Sequence, residues 1–218
     1  MMHKRPCVIL VADSNMAAAF RGFFQREGWH QSLGCAPFEI NTHVGADLIV
    51  DEGGNDPGVY TKGHELLRPY QSSHQHAIVV LDCEWDGSPG KAAIEAHITE
   101  QLLASGWATD AVKVIPIDPE LENWLWQDKP QVAQALRYKG QPPLRQLLAD
   151  KGWWPLDAAK PPRPKEAAQW VLRQTRQPRS SAIYQQLAAQ VSTMGCTDAA
   201  FGELHATLQA WFAPEGAE

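Results

Sequence analysis

Apolar positions in the first half of the chain come in short unbroken runs, and those of the second half recur at helical steps. CVILVAD (7–13), AIVVLD (77–82) and AVKVIPID (111–118) are continuous and rich in β-branched residues, as strands buried on both faces are. A further strand is expected at 47–50, inside the glycine-rich HVGADLIVDEGGNDPG. Between these runs, SNMAAAFRGFFQREGW reads as a helix opened by Ser14 or Asn15 and closed at Gly28. VYTKGHELLRPY reads as a short helix stopped by Pro69, although Gly63 argues against it. GKAAIEAHITEQLLASG (90–106) places Ile94, Ile98 and Leu102 on one sheet-facing stripe. Strands alternating with helices predict an α/β fold, a mainly parallel sheet sandwiched by helices with right-handed crossovers.

After about position 128 the pattern becomes helical only. KPQVAQALRY, PPLRQLLADKGWW, PKEAAQWVLRQTR, SSAIYQQLAAQVS and TDAAFGELHATLQAWF follow one another, with proline-rich joints at 141–143 and 161–164. Ile183, Leu187 and Val191 form one stripe, and Phe201, Leu204, Leu208 and Trp211 another. The expected organisation is an α/β core over 1–127 and a helical C-terminal section over 128–218 packed on it. The EGW, SGW and KGWW segments each end a helix at glycine and drop tryptophan onto the core.

Composition changes this picture little: 44% hydrophobic and 20% charged residues describe an ordinary globular chain. Cys7, Cys35, Cys83 and Cys196 are scattered, with no CxxC and no His/Cys pairing, which argues against a zinc ribbon or disulfide framework and suits a reducing compartment. The opening MMHKRPCVIL is too short in its apolar run for a signal peptide or a membrane span, so a cytoplasmic protein with no membrane partner is expected. Charge matters more by distribution than by its total of −6. Residues 82–122 hold nine Asp or Glu against two Lys, and residues 160–179 hold six Lys or Arg against one Glu. Such segments either flank a phosphate-bearing substrate or form two solvated faces.

Carboxylates gather where the predicted strands end: Asp13 after one, Asp82, Glu84 and Asp86 after another, and Asp118, Glu120 and Glu122 after a third. Functional groups of parallel sheets collect at such ends. Clustered carboxylates repel unless a divalent cation neutralises them, and hard oxygen ligands favour Mg²⁺ or Mn²⁺. Asp82, Glu84 and Asp86 are the metal candidates, with Asp13 and Glu122 as catalytic helpers. The plain alternatives are a polar strand exit at 82–89, an Asp13 helix cap, and a helix start in which Asp118 caps and Glu120 sits in the first turn; Glu122 is less well explained by capping. In KPPRPKEAAQWVLRQTRQPRSS, Lys165, Arg173, Arg176 and Arg179 are candidates for nucleic-acid phosphates, with Arg173 and Arg176 sharing a helix face; a solvated flank is the alternative. HQH at 74–76 reads as strand entry without a third metal ligand, and neither a G-x-S-x-G elbow nor a P-loop is present.

VILVADSN, IVVLDCEWDG and VIPIDPELENWLW together resemble the TOPRIM-like proteins. That resemblance implies Mg²⁺ held by a D-x-D pair, matched here by Asp82 and Glu84, with a glutamate after the first strand; this chain has Ala12 there and Asp13 one residue displaced. NDPGVYTKGHELL, DPELENWLW, PKEAAQWVL, PRSSAIYQQLA and CTDAAF resemble a small protein family of bacterial anti-phage loci, that of the fourth component of the methylation-associated defence system. This second likeness implies a role in phage defence beside other proteins of the same system, a methyltransferase, nuclease and kinase-like partners; DNA is a further expected partner, held by the basic helical section. The functional expectation is a Mg²⁺-dependent nuclease acting on phosphodiesters. A catalytically inactive binding or sensing subunit is the alternative, favoured by Ala12 and the acidity, and a small-molecule phosphohydrolase is a third reading.

Overall fold

The computed structural model describes residues 4–214. Its sheet has four parallel strands, β1 (Arg5–Val11), β2 (Leu48–Val50), β3 (His74–Asp82) and β4 (Val112–Ile117), in the spatial order β2-β1-β3-β4. The α/β expectation therefore holds. Register is continuous across the centre, with Val11 beside Val80 and Val80 beside Ile115. The side chains of Val8–Leu10 and Ile78–Leu81 are fully buried, as continuous apolar runs require of central parallel strands. His74, Gln75 and His76 belong to β3 rather than preceding it.

The first connection runs from β1 to β2 through α1 (Ser14–Phe24) and the single turn α2 (Trp29–Ser32). The helix thus ends before the expected Gly28, which instead opens α2 in the left-handed conformation. β2 leads through α3 (Asp56–Leu67) to β3, and β3 through α4 (Lys91–Ala104) to β4. Gly63 does not break α3; it is buried and faces Leu10, so the missing side chain lets helix and sheet approach. Because chain direction across the sheet reverses after β2, right-handed crossovers put α1 on one face and α3 with α4 on the other. The reversal lies between β1 and β3, whose C-terminal ends bound the crevice where open parallel sheets place their sites.

Past β4, the described residues form only helices: α5 (Glu122–Leu125), α6 (Pro130–Ala135), α7 (Leu144–Asp150), α8 (Pro164–Gln174), α9 (Ser181–Gln190) and α10 (Ala199–Trp211). They divide between two cores. Trp126, Val132, Leu136, Leu148, Trp154, Ala167, Val171 and Leu172 build a small separate core. Tyr184 of α9 and Ala200, Leu204 and Leu208 of α10 instead join the sheet's core. Gly106 and Gly152, both at positive φ, turn the chain after α4 and α7 and bury Trp107 and Trp154 just beyond.

α9 lies against α1, fixed at both ends. Ser181 Oγ bonds Ser14 Oγ and Asn15 Oδ1 at the start of α1. At the other end, the Arg26 guanidinium donates to the carbonyls of Ala188 and Val191, satisfying the terminal acceptors of α9. This arrangement carries the segment leading into α9 to the C-terminal edge of the sheet.

Candidate metal centre

The ends of β3 and β4 are tied together by the turn that follows β4. Pro119 O accepts from the backbone N–H of both Cys83 and Glu84, at 3.1 Å each. Leu121 N–H donates to Asp82 Oδ1 at 2.8 Å. The turn 118–121 thereby delays the helix, which starts at Glu122 with Leu121 as its N-cap residue. Asp118, expected as a cap, is exposed and caps nothing. Glu120, expected in a first helical turn, is drawn inward instead.

The result is a cluster of Asp82, Glu120 and Glu122, each offering a carboxylate oxygen within 4.8 Å of the others. All are buried, with relative exposures of 9%, 5% and 2%. At least one oxygen of each is already held, and both of Glu120. Leu121 N–H holds Asp82 Oδ1, Lys165 N–H holds Glu120 Oε1 at 2.8 Å, and Tyr184 Oη and Arg179 Nη2 both donate to Glu122 Oε1. Arg179 Nε in turn donates to Tyr184 Oη at 2.7 Å, closing a three-residue network. Groups that hold the outer oxygen of a carboxylate orient the inner one, as partners behind metal ligands do.

Electrostatics show what the cluster lacks. Burial, then Asp56 and Glu122, raise the Asp82 pKa well above the ordinary aspartate value. Burial and Glu122 raise that of Glu120, even though Lys165 pulls it down. Burial and the nearby charge of Asp13 raise that of Asp56. Two cations answer these acids: Lys165 Nζ lies 3.3 Å from Glu120 Oε2, and Arg179 Nη2 lies 2.9 Å from Glu122 Oε1. Burial opposes both charges, yet Glu120 and Glu122 outweigh it at Lys165, and Tyr184 with Glu122 outweighs it at Arg179, so both pKa values are raised. Five carboxyl groups facing two cations leave an excess of acidic groups, and the raised pKa values of Asp82, Glu120 and Asp56 mark the cost of ionising them together. Hard oxygen donors and this excess fit a divalent cation, so Asp82, Glu120 and Glu122 could hold one.

The sequence-derived candidates distribute unevenly around this centre. Asp82, Glu122, Lys165 and Arg179 converge on it. Glu84 and Asp86 are exposed on the 82–90 loop and stand outside the cluster, because backbone bonding to Pro119 turns the chain away after Asp82. Asp13 caps α1 through the N–H groups of Asn15 and Met16, at 2.8 Å each, and reaches the centre as a neighbouring charge. Arg173 is exposed and lines a cleft of about 180 Å³ with Gln169, Leu172, Gln177 and Arg179. Arg176 does not share a helix face with Arg173: α8 ends at Gln174, and Arg176 lies beyond the C-cap at φ 54°.

Sequence reasoning missed Glu120, Asp56 and Tyr184 as site residues. Asp56 accepts from Asp82 N–H at 2.7 Å from the first turn of α3. Its N-D-P setting reads as a helix start and nothing more. Tyr184 lies beside Ile183 of the α9 stripe, and only the docking of α9 gives its hydroxyl a role. Comparisons with family models, curated proteins and solved structures return no match, so the site rests on its own geometry.

Proposed function

We propose that this protein is a TOPRIM-like, divalent-cation-dependent component of a bacterial anti-phage defence system that acts on phosphodiesters. The observation that carries the reading is the convergence of Asp82, Glu120 and Glu122 at the C-terminal edge of the sheet, beside the crevice between β1 and β3. Mg²⁺ or Mn²⁺ held there would polarise a phosphoryl oxygen and lower the pKa of a water. Asp82 and Glu122 would present ligand oxygens whose direction is set by Leu121 N–H and by the Tyr184–Arg179 pair. Lys165 and Arg179, each about one third exposed, stand where an anionic substrate would enter. Arg173 and the cleft beside Arg179 extend the positive surface outward for a polynucleotide.

One observation favours the second reading, a catalytically inactive binding or sensing subunit. The residue nearest to the glutamate expected after β1, Asp13, spends a carboxylate oxygen on the cap of α1, and Ala12 offers no base. Calorimetric titration with Mg²⁺ and Mn²⁺ separates the cases, using wild type, Asp82→Asn and Glu122→Gln. The metal reading expects binding that either substitution weakens by about 10-fold or more. Equal affinities in all three proteins would overturn it. Metal binding without cleavage of single- or double-stranded DNA or RNA would select the inactive subunit.

A further inference from the structure

Lys165 and Arg179 occupy an unusual position for substrate-binding cations. Each is bound on its inner side to a carboxylate of the cluster, Lys165 to Glu120 and Arg179 to Glu122, and each keeps about a third of its side chain in water. Lys165 is locked there twice, since its backbone N–H also serves Glu120 Oε1 at 2.8 Å. Its charge interacts with Glu120, Glu122 and Asp82 together, so it serves the whole cluster rather than one partner. No other cation is paired with these three carboxylates among the described residues.

Arg179 opens outward onto a cleft lined without acids, and Lys165 starts the helix flank that leads to the same cleft. Lys165, Gln169 and Arg173 follow one another at i+4 steps along one flank of α8, roughly 12 Å in length at 1.5 Å per residue. The cleft that Gln169 and Arg173 line also contains Arg179, Gln177 and Leu172, and no carboxylate. Lys165 and Arg179 therefore lie on the boundary between an acidic pocket and a basic, amide-lined surface.

We propose that Lys165 is an exchangeable counter-ion: bound to Glu120 without metal, and released by a divalent cation to grip a phosphodiester on the α8 flank, while Arg179 stays on Glu122 as its orienting partner. Metal and phosphate then bind cooperatively, because the cation that neutralises the cluster removes the acids' competing hold on the Lys165 side chain. Removing Lys165 should have opposite effects on the two ligands. The metal loses a competitor and binds tighter, whereas the anion loses a contact and most of its dependence on metal. A Lys165 that only stabilised the fold would not split the two affinities. The inference rests on the metal reading above.

The experiment uses the whole chain, with Mn²⁺ and a phosphorothioate-linked thymidine dinucleotide as probes, in wild type, Lys165→Met and Lys165→Arg. Calorimetry measures Mn²⁺ affinity alone, and dinucleotide affinity with and without saturating Mn²⁺. Thermal melting checks folding, and Lys165→Arg keeps the charge should Lys165→Met be unstable. Mn²⁺ should strengthen dinucleotide binding about 10-fold or more in wild type and in Lys165→Arg, within the range of ordinary coupling between sites. In Lys165→Met, Mn²⁺ should bind about 5-fold tighter while its effect on the dinucleotide shrinks to about 2-fold or less. Wild type that binds no Mn²⁺ would sink the metal reading and this coupling with it. Wild type that binds Mn²⁺, with Lys165→Met binding it no tighter or with the dinucleotide gain unchanged, overturns the coupling alone.

Discussion

Tyr184 illustrates how one side chain sets the state of another. Its hydroxyl is buried, accepts from Arg179 Nε and donates to Glu122 Oε1. Tyr184→Phe leaves the ring packing intact and removes only this link, so Glu122 keeps Arg179 but loses orientation. Metal affinity should fall by about 10-fold, the lower end for partners behind a ligand. Calorimetry reads this directly, and an unchanged affinity would show that Arg179 alone orients the carboxylate. Asp47, at the opposite end of the strands, is a purely structural carboxylate by the same inspection. It is fully buried and accepts from Arg5 Nε and Nη2, from Asn41 N–H and from His74 Nε2. Burial alone would raise its pKa, but the bonds from Arg5, Asn41 and His74 outweigh burial and lower it. A depressed carboxyl contributes stability above its unfolded pKa of about 3.9, and that contribution is lost as pH falls through the folded value. Wild type should therefore destabilise below about pH 4, while Asp47→Asn should be weaker at neutral pH by about 1–3 kcal/mol and show a flatter acid limb. Urea denaturation across this pH range is the measurement. At this scale Asp82 was legible from its place after an apolar run. Glu120 was not, because Asp-Pro-Glu is what a helix start also looks like, and only the pairing of Pro119 O with two β3-side amides turns it inward.

Elements were legible where one physical requirement dominated. Central strands are apolar on both faces, so β1, β3 and β4 could be read directly, and the stripe of Ile94, Ile98 and Leu102 marked α4. Boundaries were lost where tertiary contact overrides propensity. His74 entered β3 because Asp47 binds it, and α3 tolerates Gly63 because Leu10 packs there. The contact between α1 and α9 is the sharpest case. A Cβ added at Gly22 would meet Gln185 O at 2.2 Å, so the two backbones touch where only glycine fits. Gly22→Ala should force α9 away and cost about 1–3 kcal/mol, the usual range for overpacking. Gly202 in α10 has nothing within 4 Å of its would-be Cβ. Gly202→Ala should instead stabilise by about 0.5–1 kcal/mol, the helix-propensity difference. Thermal melting of the two variants tests both statements, and equal shifts would mean that α9 does not rest on α1 as described. Because α9 also carries Tyr184 and follows Arg179, Gly22→Ala should weaken metal binding too, although Gly22 lies far along α1 from the cluster.

The whole molecule is arranged so that its helical section completes the site rather than decorating it. A change from alternating strands and helices to helices alone is visible in the sequence near position 128, but what those helices do is not visible there. Amphipathic stripes say that a face is covered, not by what. In the structure α6, α7 and α8 cover one another, α10 packs on the sheet's core, and α9 bridges the two, with Tyr184 in the sheet's core and Leu187 in the smaller one. Both halves of the section then return to the same edge: α8 brings Lys165 to Glu120, and the segment before α9 brings Arg179 to Glu122. A fragment of residues 1–127 would thus lose both cations and keep three buried carboxylates facing one another. It would also uncover the surface on which Tyr184, Leu204 and Leu208 pack. Those losses act in the same direction, through exposed apolar area and through unpaired buried charge, which alone is worth about 3–5 kcal/mol when one partner is removed. Against a typical total stability of about 5–15 kcal/mol, the fragment should not hold a native fold. Circular dichroism and size-exclusion chromatography of the fragment should show lost cooperativity in melting together with self-association. Saturating Mg²⁺ should recover part of the melting transition by replacing the missing positive charge, and addition of residues 128–218 in trans should recover more. A fragment that melts as cooperatively as the full chain, without metal, would mean that the sheet is self-sufficient and that the helical section is an addition to it.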